Sequence, residues 1–109
     1  MALKKPPRIK VPQSMAVGDV VEIKTLATHI METGNRKDAA GNKVARDIIH
    51  TFTATFEGQP VFSADLGPGI AANPYIAFYL KVPGAGTLEL TWLDDAGDST
   101  VERVALNAV

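Results

Sequence analysis

Asp47-Ile48-Ile49-His50-Thr51-Phe52-Thr53-Ala54-Thr55-Phe56-Glu57 is the stretch that decides the fold. Ile48, His50, Phe52, Ala54 and Phe56 fall on one face; Ile49, Thr51, Thr53 and Thr55 fall on the other. Side chains alternate across a β-strand, so a period of two predicts a strand with one face in a core. Threonine and phenylalanine suit a pleated surface, which supports the same reading. Glu57-Gly58-Gln59 then makes a short turn, and Pro60 to Leu66 returns with Phe62, Ala64 and Leu66 on one face.

The same pattern extends outward in both directions. Arg8 to Val11 reads as a short strand between prolines. Asp19 to Thr28 places Val21, Ile23 and Ala27 on one face. Tyr75 to Val82 aligns Ile76, Phe78, Leu80 and Val82. Thr87 to Asp94 turns Leu88, Leu90 and Trp92 inward, and Thr100 to Asn107 contributes Val104 and Leu106. Gly, Pro, Asn and Asp separate these segments, as in Pro83-Gly84-Ala85-Gly86 and Asp95-Ala96-Gly97-Asp98. No window carries a capped helical stripe. The expectation is an all-β protein, an immunoglobulin-like antiparallel β-sandwich of about seven strands, forming one domain over residues 1–109.

Composition narrows the function classes. The chain has 109 residues, 46% hydrophobic and 21% charged, which suits one domain with a core of its own. It has no cysteine, so it offers no disulfide, zinc knuckle, iron–sulfur site or thiol nucleophile. Eleven Lys and Arg against twelve Asp and Glu give a net charge of −1, which does not support a nucleic-acid binder. No apolar run approaches the ~18–20 residues of a membrane span. The opening Met1-Ala2-Leu3-Lys4-Lys5-Pro6-Pro7-Arg8 is not followed by an apolar signal core, so no export signal is expected.

Two connections are more than turns. Met31 to Arg46 is long and polar, and either a functional loop or an irregular hairpin around Ala40-Gly41-Asn42. Gly67-Pro68-Gly69-Ile70-Ala71-Ala72-Asn73-Pro74 is apolar and stiffened by two prolines, a contact surface in character.

The residue types that perform chemistry are sparse. His29 and His50 lack metal-ligand spacing, and a site would have to recruit Glu32 or Asp38, so no metal is expected. Ser14, Ser63 and Ser99 sit in no nucleophile motif. Asp94-Asp95-Ala96-Gly97-Asp98 lacks calcium-loop spacing and reads as a hairpin turn whose aspartates bond local amides. Gly67-Pro68-Gly69 and Gly84-Ala85-Gly86 precede no helix and no Lys-Ser or Lys-Thr, which does not support phosphate cradling. Arg36, Lys37, Asp38, Lys43 and Arg46 concentrate charge, either as a solvated loop or as a patch facing an anion or a partner. No catalytic residue and no cofactor is expected.

His29-Ile30-Met31-Glu32-Thr33-Gly34-Asn35-Arg36-Lys37-Asp38, followed by Gly41-Asn42, resembles the signature of SoxZ, the Z-subunit family of the SoxYZ sulfur carriers of thiosulfate oxidation. Val61-Phe62-Ser63-Ala64-Asp65, Ala71-Ala72-Asn73-Pro74-Tyr75 and Trp92-Leu93-Asp94-Asp95-Ala96-Gly97 agree with that family, in order. The resemblance covers nearly the whole chain. It implies a non-catalytic subunit that pairs with a Y subunit whose C-terminal cysteine carries the sulfur. It further implies a periplasmic location, reached by co-export with that partner, and transient contacts with other enzymes of the pathway. Candidate partner contacts on the matched motifs are Met31, Glu32, Thr33, Gly34, Arg36, Lys37 and Asp38, then Asn73, Pro74 and Tyr75. Arg36 leads, because a guanidinium holds a carboxylate with fixed geometry. An apolar sheet face or loop is expected to meet the Y subunit, and a homodimer could form in its absence. The alternative is a free-standing immunoglobulin-like binding module, marked by exposed aromatics. A redox enzyme like the superoxide reductases would need several histidines and a cysteine, which this chain cannot supply.

Overall fold

A computed structural model describes residues 6–67, 69–70 and 72–109. Pro68 and Ala71 of the apolar loop, the latter also the first residue of the Ala71–Tyr75 family segment, lie outside the described residues, as does the basic start at residues 1–5. Seven strands form: β1 (Arg8–Lys10), β2 (Val20–Leu26), β3 (Ile49–Phe56), β4 (Gln59–Asp65), β5 (Tyr75–Lys81), β6 (Gly86–Asp94) and β7 (Ser99–Leu106). They make a three-stranded sheet ordered β1-β2-β5 and a four-stranded sheet ordered β4-β3-β6-β7. Every named pairing is antiparallel. The seven-stranded sandwich expected from alternation is the fold observed.

The two sheets close on an aromatic centre. Phe52 of β3 packs against Trp92, Phe62 and Phe78, with ring centroids 5.1, 6.0 and 6.1 Å apart. Phe78 belongs to the three-stranded sheet and stacks on Phe62 of the other at 4.8 Å. This contact joins the two layers by packing alone, in a chain with no cysteine to bridge them. Ile23, Leu88, Leu90, Val82 and Leu106 fill the space around it. Burying side chains of this size contributes roughly 1.5–3 kcal/mol each.

Two details depart from simple alternation. Ile49 faces Asp94 and Thr51 faces Leu93, so His50 is an extra residue in the β3–β6 ladder. This bulge places both Ile48 and Ile49 in the core. His50 consequently leaves the Phe52 face and lies half-buried, its Nδ1 2.7 Å from Thr51 Oγ1. The polar Thr25 is buried, and its hydroxyl donates to the Ile76 carbonyl at 2.8 Å. The β3–β4 turn needs φ > 0 at two residues, met by Glu57 (47°) and Gly58 (82°). Glu57 is held there because its backbone N–H donates to the Thr87 carbonyl while its carboxylate accepts the Thr87 N–H.

Candidate functional site

Three of the four family segments meet at one end of the sandwich. His29 N–H donates to Asn73 Oδ1 at 3.0 Å, and Asn73 N–H returns to the His29 carbonyl at 2.8 Å. Asn73 takes a φ of 54° to do so. His29 also approaches Asp94 of the Trp92–Gly97 segment: one ligand-type atom each from His29, Asp47 and Asp94 lies within 4.8 Å of the others. Glu32 and Asp47 exchange both backbone hydrogen bonds at 2.8 Å and so clamp the base of the long loop.

That loop is an irregular hairpin, one of the two forms its composition allowed. Lys37 bridges Lys43, Val44 N–H donates to the Arg36 carbonyl, and Asp38 N–H donates to the Asn42 carbonyl. The turn falls on Ala40-Gly41-Asn42, where Asp38 Oδ1 accepts the Ala40 and Asn42 amides at 2.9 and 3.0 Å. Gly34 is fixed by two constraints. Its φ is 85°, and a Cβ there would sit 3.1 Å from Arg46 Cβ.

Arg46 grips the β6–β7 turn. Its Nε and Nη2 donate to the two oxygens of Asp95 at 2.8 Å each, and Ile48 N–H adds a third bond at 3.1 Å. The Arg46 guanidinium, helped by that amide, holds the Asp95 carboxyl below its usual range. The neighbouring turn is the amide-bonded one expected: Asp94 Oδ1 accepts the Ala96 and Asp98 N–H groups at 3.0 Å each.

The ten candidate contacts divide into builders and presenters. Met31 is buried with a φ of 54°; its N–H donates to His29 Nδ1 at 2.9 Å, and its sulfur accepts the Ile49 N–H at 3.3 Å. Gly34 and Pro74 are buried as well. Thr33 Oγ1 accepts the Asn35 amide, and Asp38 and Asn73 serve the turns described above. Glu32 is mostly covered and takes Arg36 Nε and Nη2 on one oxygen at 3.0 and 2.6 Å. The pair raises the affinity of Arg36 for its proton. Arg36 (side chain 62% exposed), Lys37 and Tyr75 (59%) point outward. Ile70, in the apolar loop that sequence reasoning marked as a contact surface, is exposed, and so is Ile30 of the His29–Asp38 segment, which sequence reasoning did not single out. The only signal for Ile30 was an isoleucine in an otherwise polar stretch.

The histidine–carboxylate group raises the question of a metal. Met31 N–H can only donate, so His29 Nδ1 carries a lone pair and the proton of the neutral ring sits on Nε2. Nε2 faces the buried, otherwise unpartnered Asp47 Oδ1 at 3.8 Å. A metal-bound histidine normally donates from its second nitrogen. Here that nitrogen is an acceptor, so this geometry suits a hydrogen-bond donor rather than a ligand.

The family profile of the sulphur oxidation protein SoxZ matches residues 9–105. The chain belongs to the SoxZ family. No curated protein matches it significantly in sequence. Among solved structures, it is similar to the superoxide reductase (neelaredoxin) from Ignicoccus hospitalis, with a TM-score of 0.74, 20% identity, and coverage of 99% of this chain and 83% of that one. It is also similar to the sulfur carrier protein SoxY from Chlorobium limicola f thiosulfatophilum, with a TM-score of 0.66, 12% identity, and coverage of 96% and 76%. A superoxide reductase from Archaeoglobus fulgidus aligns with a TM-score of 0.61 and 20% identity, covering 96% and 91%. At such identities the likeness is one of fold. For this SoxZ-family chain it establishes the immunoglobulin-like sandwich and carries no enzymatic activity across.

Proposed function

We propose that the chain is the non-catalytic subunit of a heterodimeric sulfur carrier in thiosulfate oxidation. Its partner is a SoxY-type subunit whose C-terminal cysteine holds the sulfur, and the pair works in the periplasm. Membership of the SoxZ family carries this reading. The chain's lack of cysteine supports it, because a subunit without a thiol cannot divert the cargo by exchange. No helix among the described residues is long and apolar enough to cross a membrane.

The partner contact is assigned to the end where the family segments meet. Ile30 (69% exposed) and Ile70 supply apolar area, Tyr75 a ring, and Arg36 and Lys37 a polar rim. Met31, Glu32, Thr33, Gly34, Asp38, Asn73 and Pro74 hold that surface in shape. A lasting heterodimer is expected to bury roughly 1,200–2,000 Å² or more. Exposed Tyr75 and Tyr79 are the feature that favours a free-standing binding module instead.

The test is to purify the tagged chain from its native host during growth on thiosulfate and measure intact masses of what accompanies it. The carrier reading expects a small partner with a C-terminal cysteine, heavier by sulfur adducts. Recovery of the chain alone, or with partners lacking such a cysteine, rejects it in favour of the module.

A further inference from the structure

The outer face of the β1-β2-β5 sheet gathers positive charge out of proportion to the chain. Register places Arg8 opposite Leu26, Lys10 opposite Lys24, Lys24 opposite Ala77, Glu22 opposite Tyr79, Leu26 opposite Tyr75 and Val20 opposite Lys81. Arg8, Lys10, Lys24 and Lys81 thus share this face with one acid, Glu22, in a chain of net charge −1. Among the described residues, the only ion pair on the face joins Lys24 to Glu22 at 3.5 Å. Lys10 directly opposite Lys24 is unfavourable, because like charges at paired positions repel. Folding alone gives no reason to keep them so.

Between the cations lie Tyr75 and Tyr79, the latter 70% exposed, with Leu26 and Val20 beside them. Tyrosine and arginine are the side chains most enriched at energetic centres of interfaces. The relief is shallow. Two depressions of about 220 and 180 Å³ lie along β1, one lined by Lys10, Glu22 and Lys24, the other by Arg8, Leu26 and Tyr75. A small-molecule site is typically larger and more enclosed, whereas a broad, shallow, basic and aromatic face fits a protein surface.

We propose that this face docks transiently onto an acidic patch of a partner protein. Exposed charge of one sign steers association and keeps it sensitive to salt, while a permanent interface would be more apolar. The face therefore suits a partner that comes and goes. The face shares Tyr75 with the SoxY-type contact assigned to the loop end; Lys10, Lys24, Tyr79 and Lys81 belong to it alone, so tests at those residues separate the failure of one from the failure of the other.

The test is an amide NMR titration of the full ¹⁵N-labelled chain with a synthetic Glu/Asp/Tyr peptide at low salt. Parallel titrations use phosphatidylglycerol vesicles and single-stranded DNA. Expected are shifts confined to β1, β2 and β5, lost at high salt. Lys10→Glu is expected to weaken peptide binding about 3- to 10-fold. Because it turns the Lys10–Lys24 repulsion into attraction, it should leave the melting temperature unchanged or raised, which separates lost docking from lost fold. Lys81→Glu provides a second variant away from that pair. The proposal is overturned if the peptide shifts nothing, or shifts Lys37 and Lys43 instead. It is equally overturned if vesicles or DNA bind the face more tightly than the peptide, or if the co-purified second subunit fully protects β5 from hydrogen exchange.

Discussion

The two outer faces of the sandwich share one fold and follow opposite rules. On the four-stranded sheet, Thr53 pairs with Ser63 on one side and Thr91 on the other, and Thr55 pairs with Glu89. Glu89 in turn faces Arg103, whose Nε donates to its carboxylate at 3.0 Å. Threonine and opposite-charge pairs are among the favourable cross-strand combinations. On the three-stranded sheet, lysine faces lysine, and tyrosines stand exposed among cations. One face satisfies itself within the chain. The other leaves most of its charge and its aromatic rings open to solvent, available to another molecule. Such a contrast within a single domain separates what the fold needs from what function adds.

The comparison can be broken outright by removing what both faces rest on. Phe52→Ala should cost roughly 3–5 kcal/mol, because the ring touches Trp92, Phe62 and Phe78 across both layers. Urea unfolding measures this; a loss under about 1 kcal/mol would mean that the sheets are not joined there. A smaller effect belongs to the loop end. Asp95→Asn should cost roughly 1–2 kcal/mol by weakening the Arg46 clamp. Because the folded state depresses the Asp95 pKa, its contribution is complete above the ordinary aspartate value of about 3.9. It is lost as the pH falls from there through the depressed folded value. Melting temperature against pH should therefore fall more steeply for the native chain than for the variant in that acid range, and parallel curves would reject the clamp. The finest test uses charge reversal. Glu89→Lys should destabilise by about 0.3–1 kcal/mol, whereas Lys10→Glu on the opposite face should not destabilise at all. Matching losses from both reversals would erase the distinction between the faces.

Much of the fold was legible because its signals are local. Alternation located the inward residues of β2, β5 and β6, and the Asp-rich turn declared its own hydrogen bonding. The bulge at His50 was not legible, since an extra residue in a ladder is a property of two strands and the local string of Ile48 and Ile49 fits either register. The candidate site was half legible. The family segments stand out in the string, and their meeting through His29 and Asn73 requires the chain to fold back. A motif match also cannot distinguish Met31, buried beneath the loop, from Arg36, which points to solvent. The lysine pair was invisible for the same reason as the bulge: Lys10 and Lys24 become neighbours only through register.

Chain order gives the three-stranded sheet a kinetic character of its own. β3 with β4, and β6 with β7, are joined by short turns, so half of the sandwich can begin from local hairpins. β2 must instead find β5 across the whole β3–β4 hairpin and both long loops. Closing so long a segment costs chain entropy before any contact repays it, which places β2–β5 pairing late in folding. Substitutions along that pair should accelerate unfolding more than they slow folding. The face proposed to meet other proteins is therefore also the part of the domain that matures last.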